Sequence, residues 1–465
     1  MDGLECSEIL LSDIDLGDRI DAEYFSKQYL EIEKRLSFVK TRKIGELSSA
    51  VASAFYPAAT QLYSIGDTAF IRCVDCVSYP VISTDQDAQF EKIPYSFAKQ
   101  NSGISLLKQH EIVITKVGTP CYASVLEGYD EVALSRTVLG LTQIKTVDPY
   151  YLMTFLRCKY GFGQLYRQRE LTIQYQLTLP RVKAVDVFLP SNAFQSSIVT
   201  LVKQYEHYMH TSVRHYRNAM SILMSNISSN LTLNESGVSV KTFSTSYAIT
   251  GRLDAEYYQP KYESIQRALN AKDTVRTLCK LHDKTFLPKP NEEYRYIELA
   301  DVGTSGFIAD VESQRGVDLP TRARRKVKRG QVIVSSVEGS LQSCALITDE
   351  YDNALCSTGF YVVDSAKINP ETLLVLFKSE PIQALMKQRC SGTILTAISK
   401  DEFLSMPLPF IGDDVQSEIA RKVQESFSLR RQAEKLIETA VRAVEIAIEQ
   451  DEAAAVAWQK SVMDF

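Results

Sequence analysis

Two stretches of the chain share an alternating pattern of β-branched residues after a polar turn. LKQHEIVITKVGT (107–119) and VKRGQVIVSSVEGS (327–340) both place Ile and Val in a short run behind a Lys-containing turn. A run of this kind, bounded by a turn, is typical of a strand. The sequence therefore predicts one strand after residue 110 and a similar strand after residue 330.

Two other segments place apolar residues at the three- and four-residue spacing of an amphipathic helix. The two apolar stripes consist of Ile198, Leu201, Val202, Tyr205, Tyr208, Met209, Tyr216, Ala219 and Leu223, and of Ile419, Val423, Phe427, Leu436, Ile437, Ala440, Val444 and Ile448. No Gly or Pro interrupts the stretch from Val415 to Gln450, which predicts a helix of roughly 50 Å. Two such helices can pack as an antiparallel coiled coil, or each can cap its own module.

These patterns belong to an internal repeat. DRIDAEYF (18–25) corresponds to GRLDAEYY (251–258), 233 residues later. Further blocks correspond at 220 or 221 residues, namely 107–119 with 327–340, 133–142 with 354–363, 148–156 with 369–377, and 195–204 with 416–425. Asp148-Pro149 and Asn369-Pro370 each precede an apolar periodic run, which predicts a helix start in both copies. The chain is therefore expected to contain two copies of a module of roughly 220 residues.

Composition limits the class of protein. The chain has 465 residues, of which 45% are apolar and 23% charged, as in a soluble globular protein of two to four domains. The start lacks a signal-peptide pattern and no run of 18 apolar residues occurs, so we expect no membrane span and a cytoplasmic location. Nine scattered Cys favour reduced thiols. Cys73 and Cys76 have no second pair at zinc spacing, so no metal site is expected.

The charge distribution matters more than the net charge. A net charge of −5 argues mildly against a nucleic-acid binder, because phosphate contact needs a positive surface. Residues 313–331, however, carry seven Lys or Arg against one Asp, and residues 156–183 carry six against one Glu. Since neither copy contains a Walker loop, a glycine-rich cofactor loop or a catalytic constellation, no catalytic residue is predicted.

The repeat and its junctions resemble the specificity subunit of a Type I restriction–modification system. The resemblance rests on the duplicated layout, the opening D-A-E-Y-[FY], and the junction at which a Leu-Pro strand end leads into Q-x-x-I and a long helix. Here the junctions are VDVFLPSNAFQSSI (185–198) and SMPLPFIGDDVQSEI (405–419). Members of the family often carry P-P-L and E-Q at this junction, and this chain departs from that pattern.

The resemblance implies an α+β fold with an internal duplication, in which two long antiparallel spacer helices separate two target-recognition domains. The implied boundaries are 1–185 and 231–410 for the recognition domains and 186–230 and 411–465 for the helices. The chain would read a bipartite site on double-stranded DNA without catalysis of its own. It would direct two adenine DNA methyltransferase subunits, which a restriction or translocase subunit can join. S-adenosylmethionine would be bound by the methyltransferase, and this chain would hold no cofactor.

One alternative remains open from the residues. A duplicated, non-catalytic scaffold that binds other proteins rather than DNA would also fit the repeat, and the net charge of −5 supports it. The two functions differ in salt dependence, because phosphate binding weakens steeply between low and physiological salt.

The strongest candidate DNA contact is the basic run PTRARRKVKRGQ (320–331) in the second module. Its side chains are predicted on a loop before the strand QVIVSSV, where they could hold phosphates or guanine edges. A solvated loop or an acidic protein partner is the alternative. The candidates of this module are Arg322, Arg324, Arg325 and Lys326, together with Lys387, Arg389, Thr393 and Thr396 in KQRCSGTILT.

The first module offers candidates after its predicted strand and in a second basic stretch. They are Thr115, Lys116, Arg136, Arg167, Arg169, Thr172, Gln174 and Tyr175. Gln and Arg are the residues that most readily read base edges, although each of these positions could be ordinary surface. The acids of the two openings, Asp21, Glu23, Asp254 and Glu256, are candidates for the methyltransferase interface or for helix capping.

Overall fold

The computed structural model of the chain describes residues 6–10, 14, 19–85, 90–119, 121–170, 176–227, 238–309, 311–392 and 396–463. The chain divides into two compact units, Met1–His210 with Arg431–Phe465, and Thr211–Arg430. The unit boundaries differ from the domain boundaries that the sequence suggested near residues 185, 230 and 410. They fall inside the two long helices, because each helix contributes one part of its length to the core of each unit.

The first unit combines a five-stranded sheet in the order β2-β10-β7-β8-β4, a four-stranded sheet in the order β5-β3-β9-β6, and the pair β1-β11. Its strands are β1 (Thr41–Lys43), β2 (Ser49–Ala52), β3 (Thr68–Ile71), β4 (Val81–Ser83), β5 (Lys92–Ile93), β6 (Leu106–Leu107), β7 (Ile112–Thr115), β8 (Ala123–Glu127), β9 (Val132–Leu134), β10 (Val138–Thr142) and β11 (Asp186–Phe188). Its helices are α1 (Lys27–Leu36), α2 (Ile44–Leu47), α3 (Cys73–Ser78), α4 (Tyr95–Gln100), α5 (Pro149–Arg157), α6 (Lys159–Arg167), α7 (Leu179–Lys183) and the first part of α8 (Asn192–Ile227).

The second unit has four-stranded sheets in the orders β13-β20-β17-β18 and β15-β14-β19-β16, and the pairs β12-β23 and β21-β22. Its strands are β12 (Asp273–Thr274), β13 (Lys280–Leu281), β14 (Glu293–Ile297), β15 (Ser313–Arg315), β16 (Ala323–Lys326), β17 (Val332–Ser335), β18 (Cys344–Leu346), β19 (Leu355–Ser357), β20 (Phe360–Asp364), β21 (Cys390–Ser391), β22 (Ala397–Ile398) and β23 (Pro407–Leu408). Its helices are α9 (Tyr247–Thr250), α10 (Pro260–Leu269), α11 (Val275–Leu278), α12 (Pro370–Lys378), α13 (Glu380–Arg389), α14 (Lys400–Ser405) and the first part of α15 (Asp413–Glu449). α16 (Glu452–Met463) follows in the first unit.

The sheets repeat from one unit to the other. The order β13-β20-β17-β18 reproduces β2-β10-β7-β8, and β15-β14-β19-β16 reproduces β5-β3-β9-β6. In the latter sheets the two central strands are parallel in both copies, β3 with β9 and β14 with β19, while their outer neighbours are antiparallel. The duplication predicted from the sequence and the α+β class are thus confirmed at the level of strand order.

The predicted strands and helix starts are confirmed in both copies. β7 and β17 are the central strands of the repeated sheets, and every residue in them is buried. At the helix starts, the Tyr150 N–H donates to Asp148 Oδ1 (2.8 Å) and the Thr372 N–H donates to Asn369 Oδ1 (2.8 Å). Pro occupies the first helical position in each case, where a missing N–H costs nothing.

One buried glutamine in each unit joins the two helices that begin side by side. The Asp148 N–H donates to Gln195 Oε1 (3.1 Å), and Gln195 Nε2 donates to the Pro190 carbonyl (3.3 Å). In the second unit, 221 residues later, the Asn369 N–H donates to Gln416 Oε1 (2.7 Å), and Gln416 Nε2 donates to the Ile411 carbonyl (2.8 Å). Gln195 therefore fixes the start of α8 to the start of α5, and Gln416 fixes the start of α15 to the start of α12.

The long helices pack against each other in both units. The predicted helix from Val415 to Gln450 is confirmed as α15, and early α8 residues share the first unit's core with late α15 residues. In the second unit late α8 residues share a core with early α15 residues, so the two helices run antiparallel. There the Ser212 hydroxyl donates to the Ser426 carbonyl (2.8 Å), and His215 Nδ1 lies 2.8 Å from a carboxylate oxygen of Glu425.

Each unit places a cation at the last residue of a helix packed on its sheet, a half-buried Arg157 in α5 and a buried Lys378 in α12. Arg157 donates from Nε to the Ala123 carbonyl and from Nη2 to the Cys76 carbonyl, both at 2.6 Å. The residue 221 positions later is Lys378, whose Nζ donates to the carbonyls of Gln342 (2.6 Å) and Gly303 (3.3 Å). Burial lowers the pKa of Arg157 to about 10 and that of Lys378 to about 8. Backbone carbonyls thus replace the carboxylate that a buried cation usually has.

Within the residues that the structure describes, no helix combines the length and the apolar character that crossing a membrane requires.

We expect Gln416→Ala to lower the free energy of unfolding of the second unit by about 2–4 kcal/mol, because it leaves buried backbone groups without partners. Gln424→Ala is the matched control, since this glutamine lies exposed on the same helix and should change stability by less than about 0.5 kcal/mol. Calorimetric unfolding of the whole chain measures both. Equal effects of the two substitutions would contradict the role assigned to Gln416.

Lys378 should make the stability of the second unit depend on alkaline pH. Its pKa is about 8 in the folded chain, whereas an unfolded lysine titrates near ~10.4. The folded state therefore loses this proton first, and stability rises as the pH increases from 8 to 10, by about 2 kcal/mol. Denaturant unfolding of the wild type and of Lys378→Met at pH 7, 8.5 and 10 measures the difference. If the free energies of unfolding of the wild type and of Lys378→Met differ by the same amount at all three pH values, the prediction is wrong.

Candidate nucleic-acid interface

The basic run of the second module forms an edge strand rather than the predicted loop. Arg324, Arg325 and Lys326 lie in β16, and Arg322 directly precedes it. β16 pairs antiparallel with β19, with Lys326 opposite Leu355. The strand forms because Ala323 and Val327 enter the core on either side of the basic residues. The register shifts between Ala323 and Arg325, and a bulge of this kind changes the direction of the side chains that follow.

The cations of this strand have no acidic partner within hydrogen-bonding distance among the described residues. Arg322 and Lys326 are exposed and Arg324 is half-buried, and none of them forms a salt bridge with a described residue. By contrast Arg329, three residues beyond Lys326, lies 2.7 Å from the carboxylate of Asp349. The strand therefore presents cations without a salt bridge among the described residues, although Lys326 is close enough to Glu292 to contribute to the lowered pKa of that carboxylate.

Two of the four cations rest on aromatic rings. Lys326 Nζ lies 5.4 Å from the centre of the Phe286 ring, and the Arg325 guanidinium lies 5.6 Å from the centre of the Tyr361 ring. Arg325 Nη1 is buried without a hydrogen-bond partner. Arg325 is thus directed inward, whereas its neighbours in the strand remain available to a ligand.

In the first unit the corresponding edge strand is uncharged. β6 holds Leu106 and Leu107, where the second unit has Lys326 and Val327. The available cations lie instead at the end of β7 and in the turn between β9 and β10. They are Lys116, which is half-buried, and Arg136, which is exposed above the Tyr56 ring at 5.0 Å. Neither forms a salt bridge with a described residue.

The structure brings several of the predicted positions of the first unit together. The Lys116 N–H donates to the Thr137 carbonyl (2.8 Å), next to Arg136, and the Leu177 N–H donates to the Lys116 carbonyl (3.0 Å). The second unit repeats this contact, since the Ile398 N–H donates to the Ser336 carbonyl (2.8 Å). The end of the central strand therefore meets the base of a second loop in both units.

The remaining predicted positions of these loops divide in two groups. Thr172, Gln174, Tyr175 and Thr393 lie outside the described residues. Thr396 is half-buried and accepts the Glu338 N–H at its carbonyl (3.0 Å), while Lys387 is exposed on α13.

Four predicted DNA contacts are turned into the protein. Thr115 is fully buried and accepts the Tyr122 N–H at 2.9 Å. Arg389 is 6% exposed and donates to the Leu385 carbonyl at 3.2 Å. Arg167 donates to the Tyr24 carbonyl (2.7 Å), and Arg169, 4% exposed, lies 3.0 Å from Glu23. These four side chains therefore form contacts inside the unit, although Arg389 Nε is buried without a hydrogen-bond partner.

Arg167 and Arg169 hold the opening of the first module in place. Arg19 forms a two-pronged ion pair with Asp21 (2.6 Å) and also donates to the carbonyls of Arg167 (3.2 Å) and Arg169. This hydrogen bond from Arg19 keeps the pKa of Asp21 below its ordinary value. The opening is therefore anchored by an arginine that the sequence patterns left unassigned, although both copies carry Arg two residues before Asp.

The second opening uses the same contact. Arg252 pairs with Asp254 (2.7 and 2.8 Å) and donates to the Cys390 carbonyl (2.9 Å), the counterpart of Arg169. Glu256 accepts a hydrogen bond from the Tyr262 hydroxyl (2.7 Å). Asp21 also accepts the Tyr24 N–H (3.1 Å), so the aspartates cap local turns and pair with arginine. Neither aspartate caps a helix, since Ser26 precedes α1 and Gln259 precedes α10, and the role in a methyltransferase interface stays a prediction.

Within the described part of the chain, no group of three or more His, Cys, Asp or Glu side chains could hold a metal ion.

Comparison with known proteins gives structural but not sequence matches. No protein-family model and no curated protein sequence matches the chain. The chain is similar to a Type I restriction–modification S subunit from M. genitalium, with 11% identity and a TM-score of 0.35 over 91% of this chain and 94% of that one. It is also similar to the HsdS subunit from Thermoanaerobacter tengcongensis, with 12% identity and a TM-score of 0.29 over 89% and 97%. These solved structures belong to the family that the sequence resembles.

Arg169→Ala should destabilise the first unit by about 1–3 kcal/mol, since it removes a buried charged hydrogen bond and leaves Glu23 without its partner. Arg136→Ala is the control, because this exposed guanidinium has no ion pair among the described residues and its loss should be nearly neutral for stability. Thermal unfolding measures both. The assignment of Arg169 to the interior fails if its substitution leaves unfolding unchanged.

Proposed function

We propose that the chain is the sequence-reading subunit of a Type I restriction–modification system. It binds a bipartite site on double-stranded DNA through its two modules and directs an adenine DNA methyltransferase to that site. The chain itself carries out no catalytic step. A restriction or translocase subunit can join the same complex.

The observation that carries the proposal is the run of cations at and directly before β16 that form no salt bridge with a described residue. Phosphate recognition needs cations that are not already paired, because each contact must release a counterion from the DNA. Arg322, Arg324 and Lys326 meet this condition although the chain as a whole has a net charge of −5. Arg also offers the planar fork that pairs with guanine edges.

Differences between the two units support two different half-sites. The first unit offers Lys116 and Arg136 beside a neutral edge strand, whereas the second offers a basic edge strand. Since the sheets around these positions have the same strand order, the contrast lies in the surface residues rather than in the framework. Each module would accordingly read its own short sequence.

The openings support the docking of two methyltransferase subunits, one at each module. Ile20 and Leu253 occupy the same position of the repeated opening, and their side chains are 75% and 76% exposed. Exposed apolar residues that recur at one place are typical of protein interfaces. Glu23 and Glu256 lie beside them and could contribute to the rim of that interface. S-adenosylmethionine would be bound by the methyltransferase.

Methylation in the host tests the proposal directly. The chain would be co-expressed with the methyltransferase encoded beside it, and the host DNA sequenced for methylated adenine. One split motif with a fixed gap between two short half-sites is the expected result. If methylation does not depend on this chain while the methyltransferase is folded and bound to it, the function is wrong and the protein scaffold takes its place.

The salt dependence of DNA binding tests the role of β16. We expect Arg324→Ala and Lys326→Ala each to lower the slope of log affinity against log salt by about 0.9, because each removes one phosphate contact. Arg329→Ala is the matched control, since Asp349 already neutralises this arginine and the slope should not change. Titrations at 50–200 mM salt measure the slopes. Three equal slopes would show that β16 does not face the DNA.

A further inference from the structure

Each unit exposes one large apolar side chain beside the edge strand discussed above. Phe55 in the first unit is 81% exposed, and Leu287 in the second is 72% exposed. Single exposed apolar residues are common and need no explanation. A large apolar side chain that recurs at one place in two modules of divergent sequence is a stronger observation.

The same backbone contact positions both residues. The Ala54 N–H, directly before Phe55, donates to the Gly103 carbonyl (2.7 Å) in the segment that leads into β6. The Phe286 N–H, directly before Leu287, donates to the Arg324 carbonyl (2.7 Å) in β16. β6 and β16 are the corresponding edge strands of the two units.

The two units share the position of the exposed apolar side chain but not its residue type. Both stretches read Phe-x-Pro, as Phe55-Tyr56-Pro57 and Phe286-Leu287-Pro288. The exposed side chain is the first of the three residues in one unit and the second in the other. The neighbouring aromatic is less exposed in each case, since Tyr56 is buried and Phe286 is half-buried.

That neighbouring aromatic carries a cation in both units. The Arg136 guanidinium lies 5.0 Å from the centre of the Tyr56 ring, and Lys326 Nζ lies 5.4 Å from the centre of the Phe286 ring. Neither cation has a salt bridge with a described residue. An exposed apolar side chain and an available positive charge therefore lie side by side in each unit.

We propose that Phe55 and Leu287 are base-contacting residues, one for each half-site, which press an apolar surface against the bases while the adjacent cation holds the phosphate backbone. This inference rests on the proposed function. DNA offers two apolar surfaces to such a side chain, namely the thymine methyl group and the face of a partly unstacked base. A protein interface would not require unpaired cations beside each apolar residue, and charge complementarity thus favours DNA.

The test uses the full chain in complex with its methyltransferase and duplexes that carry the site identified by methylation. Phe55→Ala and Leu287→Ala should each weaken binding about 5- to 50-fold, the range expected for loss of an apolar base contact. The salt slope should stay at its wild-type value, because no phosphate contact is removed. Phe38→Ala and Phe410→Ala are the controls, since these side chains are 75% and 54% exposed in the segments between α1 and β1 and between β23 and α15, and both variants should bind as the wild type.

Two probes distinguish the surfaces that the side chains contact. Replacing thymine by uracil at each position of the half-site removes a methyl group, and the loss should be absent in the matching alanine variant if that methyl is the contact. Alternatively, 2-aminopurine at the same positions should brighten on binding to the wild type, and not to the variant, if a base is unstacked. Either result supports the inference.

Other results overturn it. If both variants bind DNA like the wild type, or lose the methyltransferase instead of DNA, these residues do not contact bases and the proposed function is unaffected. If the wild-type complex itself binds no duplex DNA at low salt, both the inference and the proposed function fail.

Discussion

In each unit, one buried glutamine side chain forms the hydrogen bonds that the backbone groups at two helix starts need. Gln195 and Gln416 accept the N–H that opens the helix behind the sheet and donate to a carbonyl just before the long helix begins. A glutamine can do both because its amide is donor and acceptor at once. These bonds fix the two helix starts of each unit to each other, and the apolar stripes of α8 and α15 contribute to both cores.

The positive charges of the chain therefore belong to two classes that composition cannot separate. Arg19, Arg157 and Arg167 donate hydrogen bonds to carbonyls or carboxylates inside the first unit. Arg136 and Lys326 rest on aromatic rings and have no ion pair among the described residues. Only the second class can exchange counterions with a polyanion, and a net charge of −5 is compatible with DNA binding for that reason.

The sequence predicted those elements in which local chemistry and packing agree. Asp148 caps α5 and Pro149 occupies its first position, so this helix start follows from local sequence. The Ile-Val run of β7 is apolar throughout, as a fully buried strand requires. The inward orientation of Arg167 and Arg169 could not be predicted, because their partners Tyr24 and Glu23 are more than 140 residues away. The basic strand was predicted as a loop because four of the five residues 322–326 are cations, which is typical of exposed segments. The buried Ala323 and Val327 on either side of Arg324–Lys326 were the available signal for a strand.

The hydrogen bonds at Ala54 and Phe286 also reveal where the two copies differ in length. The chain takes 49 residues from Ala54 to Gly103 but 38 from Phe286 to Arg324, whereas Asp148 and Gln195 are 47 residues apart, as are Asn369 and Gln416. Closing a longer loop costs little, about 0.6 kcal/mol for each doubling of its length. Residues can therefore enter or leave this stretch without disturbing the glutamine, the helices or the central strands. A lineage of such proteins could acquire new ligand preferences by insertion and deletion here, with the stability of the framework left almost unchanged.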